Sequence, residues 1–152
     1  MIILGLDIST TVTAYTLMDT EDPQKNFVVK YDGIHLGKKK SLYDKAAAIR
    51  DEFLKLNKEF TIDLICAEES LQSFRRGLSS AKTLSTLTRF NGIVCYLAED
   101  IFKTKVELIN VIHARSQLGL KIDRKSKKKT KDQVLEWVSS QEKEIVWPKK
   151  VL

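Results

Sequence analysis

Two stretches of the 152-residue sequence run from apolar residues into acid: Met1-Ile-Ile-Leu-Gly-Leu-Asp7-Ile-Ser9-Thr10-Thr11 and Thr61-Ile-Asp-Leu-Ile-Cys-Ala-Glu68-Glu69. A run this apolar reads as a strand buried on both faces. A carboxylate near its C-terminal end is then costly unless something compensates it, and a divalent cation is one such compensation. Two carboxylates on neighbouring strand ends can bridge two Mg²⁺ ions, one activating water and the other stabilising the leaving oxygen of a phosphodiester. The plainer alternatives are an Asx-type turn of Asp7 with Ser9 and Thr10, and a solvated strand-end glutamate at Glu68 or Glu69. Successive strand residues point to opposite faces, so Ile62, Leu64, Cys66 and Glu68 share one face and Glu69 takes the other. Alternation alone does not say which face is inward.

Charge supplies the second signal. Residues 121–131 hold seven cations, Lys121, Arg124, Lys125, Lys127, Lys128, Lys129 and Lys131, against one Asp. Such a run is either a solvated loop or a grip on the nucleic-acid backbone, and two candidate metal-binding acids favour the second. Phosphate contacts of this kind give affinity, not sequence preference. Arg75, Arg76 and Lys82 form a possible second patch. Phe74, in the same polar loop, is either tucked onto the core or offered to unstacked bases. His35 and His113 read as structural or surface residues, Trp137 as core, and Cys66 and Cys95 as buried thiols rather than a disulfide or zinc site.

These residues need a frame. Val12 to Met18 is a second β-prone run, and residues 26–36 alternate well enough for a third strand, so three sequential strands with short connections predict an antiparallel meander. Ser41 is a plausible N-cap for a helix ending near Asn57, with Leu42, Ala46, Ile49, Phe53 and Leu56 at helical spacing. The acid-ended run 61–69 follows that helix as a crossover strand, hence parallel to a neighbour. If it pairs beside the first strand, Glu68 and Asp7 finish at one edge. Residues 70–77 read as a loop, about 79–102 as a long, mostly apolar helix, 105–111 as a fifth strand, and 113–118 as a short helix ending at Gly119. A last helix is expected over 132–138.

The length fits one domain, 1–152, and the net charge of +6 is compatible with a polyanionic partner. Nothing reads as a membrane span or a secretory leader, so a cytoplasmic or nuclear protein is expected.

The sequence resembles the RuvC-type Holliday-junction resolvases of the ribonuclease H-like superfamily, particularly their viral, phage and organellar branches. The matching pieces are Gly5-Leu-Asp7-Ile-Ser9-Thr-Thr-Val-Thr13-Ala, with Asp7 in the place of the first catalytic acid, and Asp63-Leu-Ile-Cys-Ala-Glu68, in the place of the second. The resemblance implies an α/β fold with a mixed five-stranded sheet, a three-stranded meander plus parallel strands, and helices on both faces. It also implies a homodimer formed through the long helix and Mg²⁺-dependent nicking of branched, four-way DNA, with Mn²⁺ able to substitute. Asp7 and Glu68 become metal ligands by this resemblance, which also favours Glu68 over Glu69. Lys129 or Lys131 becomes a contact to the scissile phosphate, and Ser9, Thr10, Phe74, Arg75 and Arg76 join the basic run as DNA contacts. Phe74 falls somewhat later in its loop than the family's base-wedging aromatic. The family draws its last acids from a C-terminal helix that would begin about where this sequence stops. Glu142 and Glu144 lie too early to replace them, so a shortened form with reduced activity is expected. Competing readings are a related nuclease acting on flaps or R-loops, a non-catalytic structure-specific DNA-binding module, and the actin-like kinases, which need two such domains and a second phosphate loop.

Overall fold

A computed structural model describes residues 1–21, 28–69 and 81–141. The chain divides into two compact units, Met1–Ile109 and Asn110–Leu152.

The first unit is built on a five-stranded sheet in the order β3-β2-β1-β4-β5. Strands β1 (Ile2–Asp7), β2 (Val12–Asp19) and β3 (Val28–His35) form the expected antiparallel meander, while β4 (Leu64–Glu68) and β5 (Val106–Ile109) are added in parallel. Leu4 lies beside Leu17 and Ile65, and Leu6 beside Tyr15 and Ala67. One face of the sheet is thereby a continuous apolar surface. Helices α1 (Leu42–Glu59) and α2 (Ala81–Phe102) close it with Ile49, Phe53 and Leu56 from one and Phe90, Val94, Ala98 and Phe102 from the other. Rings of Phe53 and Phe102 meet at a centroid distance of 5.4 Å. Val94 and Ala98 lie four residues apart, and Phe90 a further turn back, the spacing that keeps one helical stripe on the sheet.

Differences from the expected boundaries have local causes. α1 runs two residues past Asn57, to Glu59, before Phe60 leaves helical geometry. Its start is fixed by a capping box: the Ser41 hydroxyl accepts from the Asp44 N–H, and the Asp44 carboxylate accepts from the Ser41 N–H. β4 begins at Leu64 rather than residue 61, because the Asp63 carboxylate accepts a 2.7 Å hydrogen bond from the Ile2 N–H and its own N–H donates to the Ile2 carbonyl.

The second unit contains α3 (Val111–Gln117) and α4 (Thr130–Gln141). α3 starts two residues before the expected 113, since the Asn110 side chain accepts from the N–H groups of Ile112 and His113 and caps it there. It ends as anticipated at Gly119, whose φ of 70° places it in the left-handed region that glycine tolerates. α4 is longer at both ends than 132–138. Trp137 is half-buried rather than core, and neither helix contains a fully buried residue.

Candidate active site

Strand register decides where the acids stand. Leu6 pairs with Ala67 in the parallel β1–β4 ladder, and one residue further along each strand come Asp7 and Glu68. Neighbouring strands are about 4.8 Å apart, and residues at the same level of a parallel pair project from the same face. Leu4, Leu6, Ile65 and Ala67 face the helices, so Asp7 and Glu68 share the opposite face, and Glu69 is turned away from it. Both acids are exposed at the sheet rim. The Asp7 side chain has no hydrogen-bond or ion-pair partner among the described residues. The Glu68 carbonyl accepts from Asn91 Nδ2 on α2 at 3.4 Å, and the next N–H, of Glu69, donates to Ile109 on β5 at 2.9 Å, so the end of β4 is fixed from two elements.

The turn after Asp7 is equally constrained. Thr13 is the polar residue on the inward face of β2, and it is fully buried. Its hydroxyl donates to the Ser9 carbonyl at 2.9 Å, while the Ser9 hydroxyl oxygen accepts from the Thr11 N–H at 3.2 Å. Lys45 on α1 donates from Nζ to the Thr10 carbonyl at 2.6 Å, and the Leu36 N–H donates to the Thr11 carbonyl at 2.7 Å. Ser9 and Thr10, expected as DNA contacts, therefore also shape the turn itself. Thr13 could have been found as the one polar inward position of an alternating strand. Lys45 carries no comparable signal in the sequence.

The basic segment lies in the second unit. Lys121, Arg124, Lys125, Lys127, Lys128, Lys129 and Lys131 are all exposed. The backbone between them is pinned by two residues that sequence reasoning missed. Gln133 donates from Nε2 to the carbonyls of Asp123 and Lys128, both at 3.0 Å, and accepts from the Asp123 N–H at 2.9 Å. The Asp123 carboxylate accepts from the Lys125 N–H at 2.8 Å. Lys128 pairs with Glu136 at 2.6 Å. The Lys129 carbonyl accepts from the N–H groups of Asp132 and Gln133, so Lys129 and Lys131 stand at the start of α4. Phe74, Arg75 and Arg76, and likewise Glu142 and Glu144, lie outside the described residues.

A hard divalent cation fits the donor set. Asp7 and Glu68 offer adjacent carboxylate oxygens, and Mg²⁺ is commonly held by one or two carboxylates with water completing an octahedron. No group of three or more His, Cys, Asp or Glu suited to a metal occurs among the described residues. Both cysteines are free thiols and half-buried. Burial pushes both thiols up, reinforced by the carboxylate of Glu107 for Cys66 and of Glu99 for Cys95.

No protein-family model and no curated protein matches the sequence. Solved structures do. RuvC of Thermus thermophilus in complex with a Holliday junction substrate superposes with a TM-score of 0.70, at 14% identity, over 98% of this chain and 84% of that one. A second Thermus thermophilus RuvC structure gives 0.66 at 16% identity, over 98% and 86%. The chain has the RuvC fold. The yeast mitochondrial Holliday junction resolvase gives 0.51 at 16% identity, over 92% of this chain and 62% of that one. The mixed five-stranded α/β sheet expected from the sequence is thus present, in the arrangement of the RuvC fold. Within that RuvC fold, Asp7 and Glu68 occupy the ends of the first strand and of its parallel neighbour. No described helix is long and apolar enough to cross a membrane.

Proposed function

We propose that this chain is a structure-specific endonuclease that resolves four-way DNA junctions by hydrolysing phosphodiesters with the help of Mg²⁺, or Mn²⁺ in its place. The observation that carries this reading is the register of β1 and β4, which brings two acids 61 positions apart in sequence side by side on one face of a RuvC-like sheet. Asp7 and Glu68 would be the ligands. When bound, the cation supplies a Lewis acid for the phosphoryl oxygens and lowers the pKa of a coordinated water. The chain's own residues do the rest. The Thr13, Lys45 and Leu36 contacts hold the turn after Asp7 so that its carboxylate is presented in one place. Lys129 or Lys131 offsets charge on the scissile phosphate, and the remaining cations of 121–131 hold the flanking backbone. Ser9 and Thr10 hydroxyls, Phe74, Arg75 and Arg76 complete the DNA contacts.

The reading includes a homodimer through α2. Gly92, Ile93, Tyr96 and Leu97 of α2, with Tyr43 and Ala46 of α1, line a shallow apolar groove of about 540 Å³, and Tyr96 is 68% exposed. Tyr96→Asp should convert a dimer to a monomer in sedimentation equilibrium. A wild-type chain that sediments as a monomer at high concentration contradicts this part.

The test of the activity is a labelled synthetic four-way junction in Mg²⁺. Paired symmetric nicks are expected. Asp7→Asn or Glu68→Gln should lower the rate by more than the roughly 100-fold that losing an outer-shell partner of a metal costs, with junction binding retained. The competing reading is a junction-binding module that does not cut. That reading predicts tight binding, no nicks, and no effect of Asp7→Asn.

A further inference from the structure

The rim that carries Asp7 and Glu68 also carries a cluster of lysines with no role so far. Val12, the first residue of β2, pairs with His35, the last of β3, so β3 ends beside the turn that follows Asp7. The chain then stays there. The Leu36 N–H donates to Thr11, and a Cβ on Gly37 would sit 3.7 Å from Thr11 Cγ2. A turn closed by the Lys39 N–H on the Leu36 carbonyl at 3.0 Å presents Lys38, Lys39 and Lys40 in succession before the capping box starts α1. All three are exposed, and none forms an ion pair among the described residues.

The opposite rim of the same unit behaves differently. There the N-terminal ammonium lies 3.6 Å from Asp19 and 3.3 Å from Glu21, Lys30 lies 2.7 Å from Glu59, and Lys103 lies 3.1 Å from Asp100. Three cations at that end, the N-terminal ammonium, Lys30 and Lys103, are matched by neighbouring carboxylates, while Lys58 and Lys105 form no ion pair among the described residues. What distinguishes the end that carries the acids is that three consecutive unmatched lysines are presented from a single turn there. Strand order adds a distance. β3 is two strands from β1, on the side away from β4, which puts the lysine turn roughly 10 Å from the Asp7 strand end. That separation suits a phosphate a short way along the strand that is cut.

We propose that Lys38, Lys39 and Lys40 form a phosphate-binding turn that holds the nucleic-acid backbone entering on the β3 side of the Asp7 and Glu68 pair. The turn recognises charge and backbone shape, not base sequence. Lys45 is not part of it, because its Nζ is committed to the Thr10 carbonyl and serves to position the β1–β2 turn. This inference rests on the nuclease reading above, in that both require DNA at this rim.

The experiment measures dissociation constants of the full chain for a fluorescent synthetic four-way junction, in Ca²⁺, from about 50 to 200 mM salt. Lys38→Gln/Lys39→Gln/Lys40→Gln is compared with Lys58→Gln/Lys103→Gln/Lys105→Gln, an equal loss of charge at the opposite rim. Each lost phosphate contact reduces the slope of log K against log salt by about 0.9. The first triple variant should flatten it by about 2 to 3 and weaken binding at least ~10-fold at the lower salt, while the second leaves the slope unchanged. A salt-dependent wild type with an unaltered slope in the first variant, or equal flattening in both, overturns the proposed turn and leaves the nuclease reading in place. A wild type that binds no junction overturns the nuclease reading itself. Circular dichroism of each variant separates loss of binding from loss of fold.

Discussion

Acids and cations reach their places by different physical routes in this chain. Asp7 and Glu68 stand at the ends of strands whose neighbours, Leu6 and Ala67, are buried in the core, and a one-residue slip of either strand would turn the acid to the other face. Their pairing is therefore specified by the same burial that specifies the fold. The cations of 121–131 belong to a unit whose helices contain no fully buried residue, and their backbone is shaped by hydrogen bonds from Gln133 and Asp123. Position is set by register in one region and by a few polar side chains in the other. The acid pair should thus resist changes at its periphery, and the basic loop should not.

The largest effect that sharpens this contrast is in the loop's charge. Replacing Lys125, Lys127 and Lys129 together with Gln should flatten the salt dependence of junction binding by about 2 to 3 in log–log slope, since each phosphate contact contributes about 0.9. An unaltered slope would show the loop to be a solvated surface. Gln133→Ala keeps every cation and removes three hydrogen bonds, each worth about 1 kcal/mol at most at an exposed site. It should weaken junction binding several-fold while leaving the salt slope nearly intact, a split that simple charge loss does not produce. Equal binding by this variant would break the comparison, because the loop would not need its staple.

A smaller effect is expected at the start of α1. Ser41→Ala should lower stability by about 1 kcal/mol in urea melts, as loss of an N-cap does, without altering catalysis. The sign with pH follows from Asp44. Hydrogen bonds from the Ser41 side chain and then its backbone, aided by Lys39, hold the Asp44 carboxyl below the usual carboxylate range. A depressed folded-state pKa contributes stability above the unfolded value, near 3.9, that is lost as pH falls through the folded value. The wild type should lose this increment on acidification and Ser41→Ala should show less of it. Parallel pH profiles would show that the box contributes nothing through its carboxylate.

The sheet was legible in the sequence where burial is periodic. The meander, the crossover strand and the stripe on α2 all follow from apolar spacing that period 2 or 3.6 explains, and the acid at each strand end follows from the cost of burying it. Other features were not legible because their causes are single contacts. The Asp63 carboxylate ends the approach to β4, Asn110 moves the start of α3, and the Lys45 ammonium braces a turn 35 residues away in sequence. None of these leaves a pattern in the chain. Glu68 and Glu69 belong between the two cases: alternation reduced them to a question of face, and the β1–β4 register puts Glu68 on the face that Asp7 shares.

The central claim is that Asp7 and Glu68 share one cation, and Mn²⁺ binding followed by electron paramagnetic resonance tests it most directly. Wild type is compared with Asp7→Asn, Glu68→Gln and the double variant. Shared ligation predicts that each single substitution removes most of the affinity and that the double variant is little worse than either, a strongly non-additive cycle. Independent, additive losses, or Mn²⁺ held equally well by all four proteins, would contradict it.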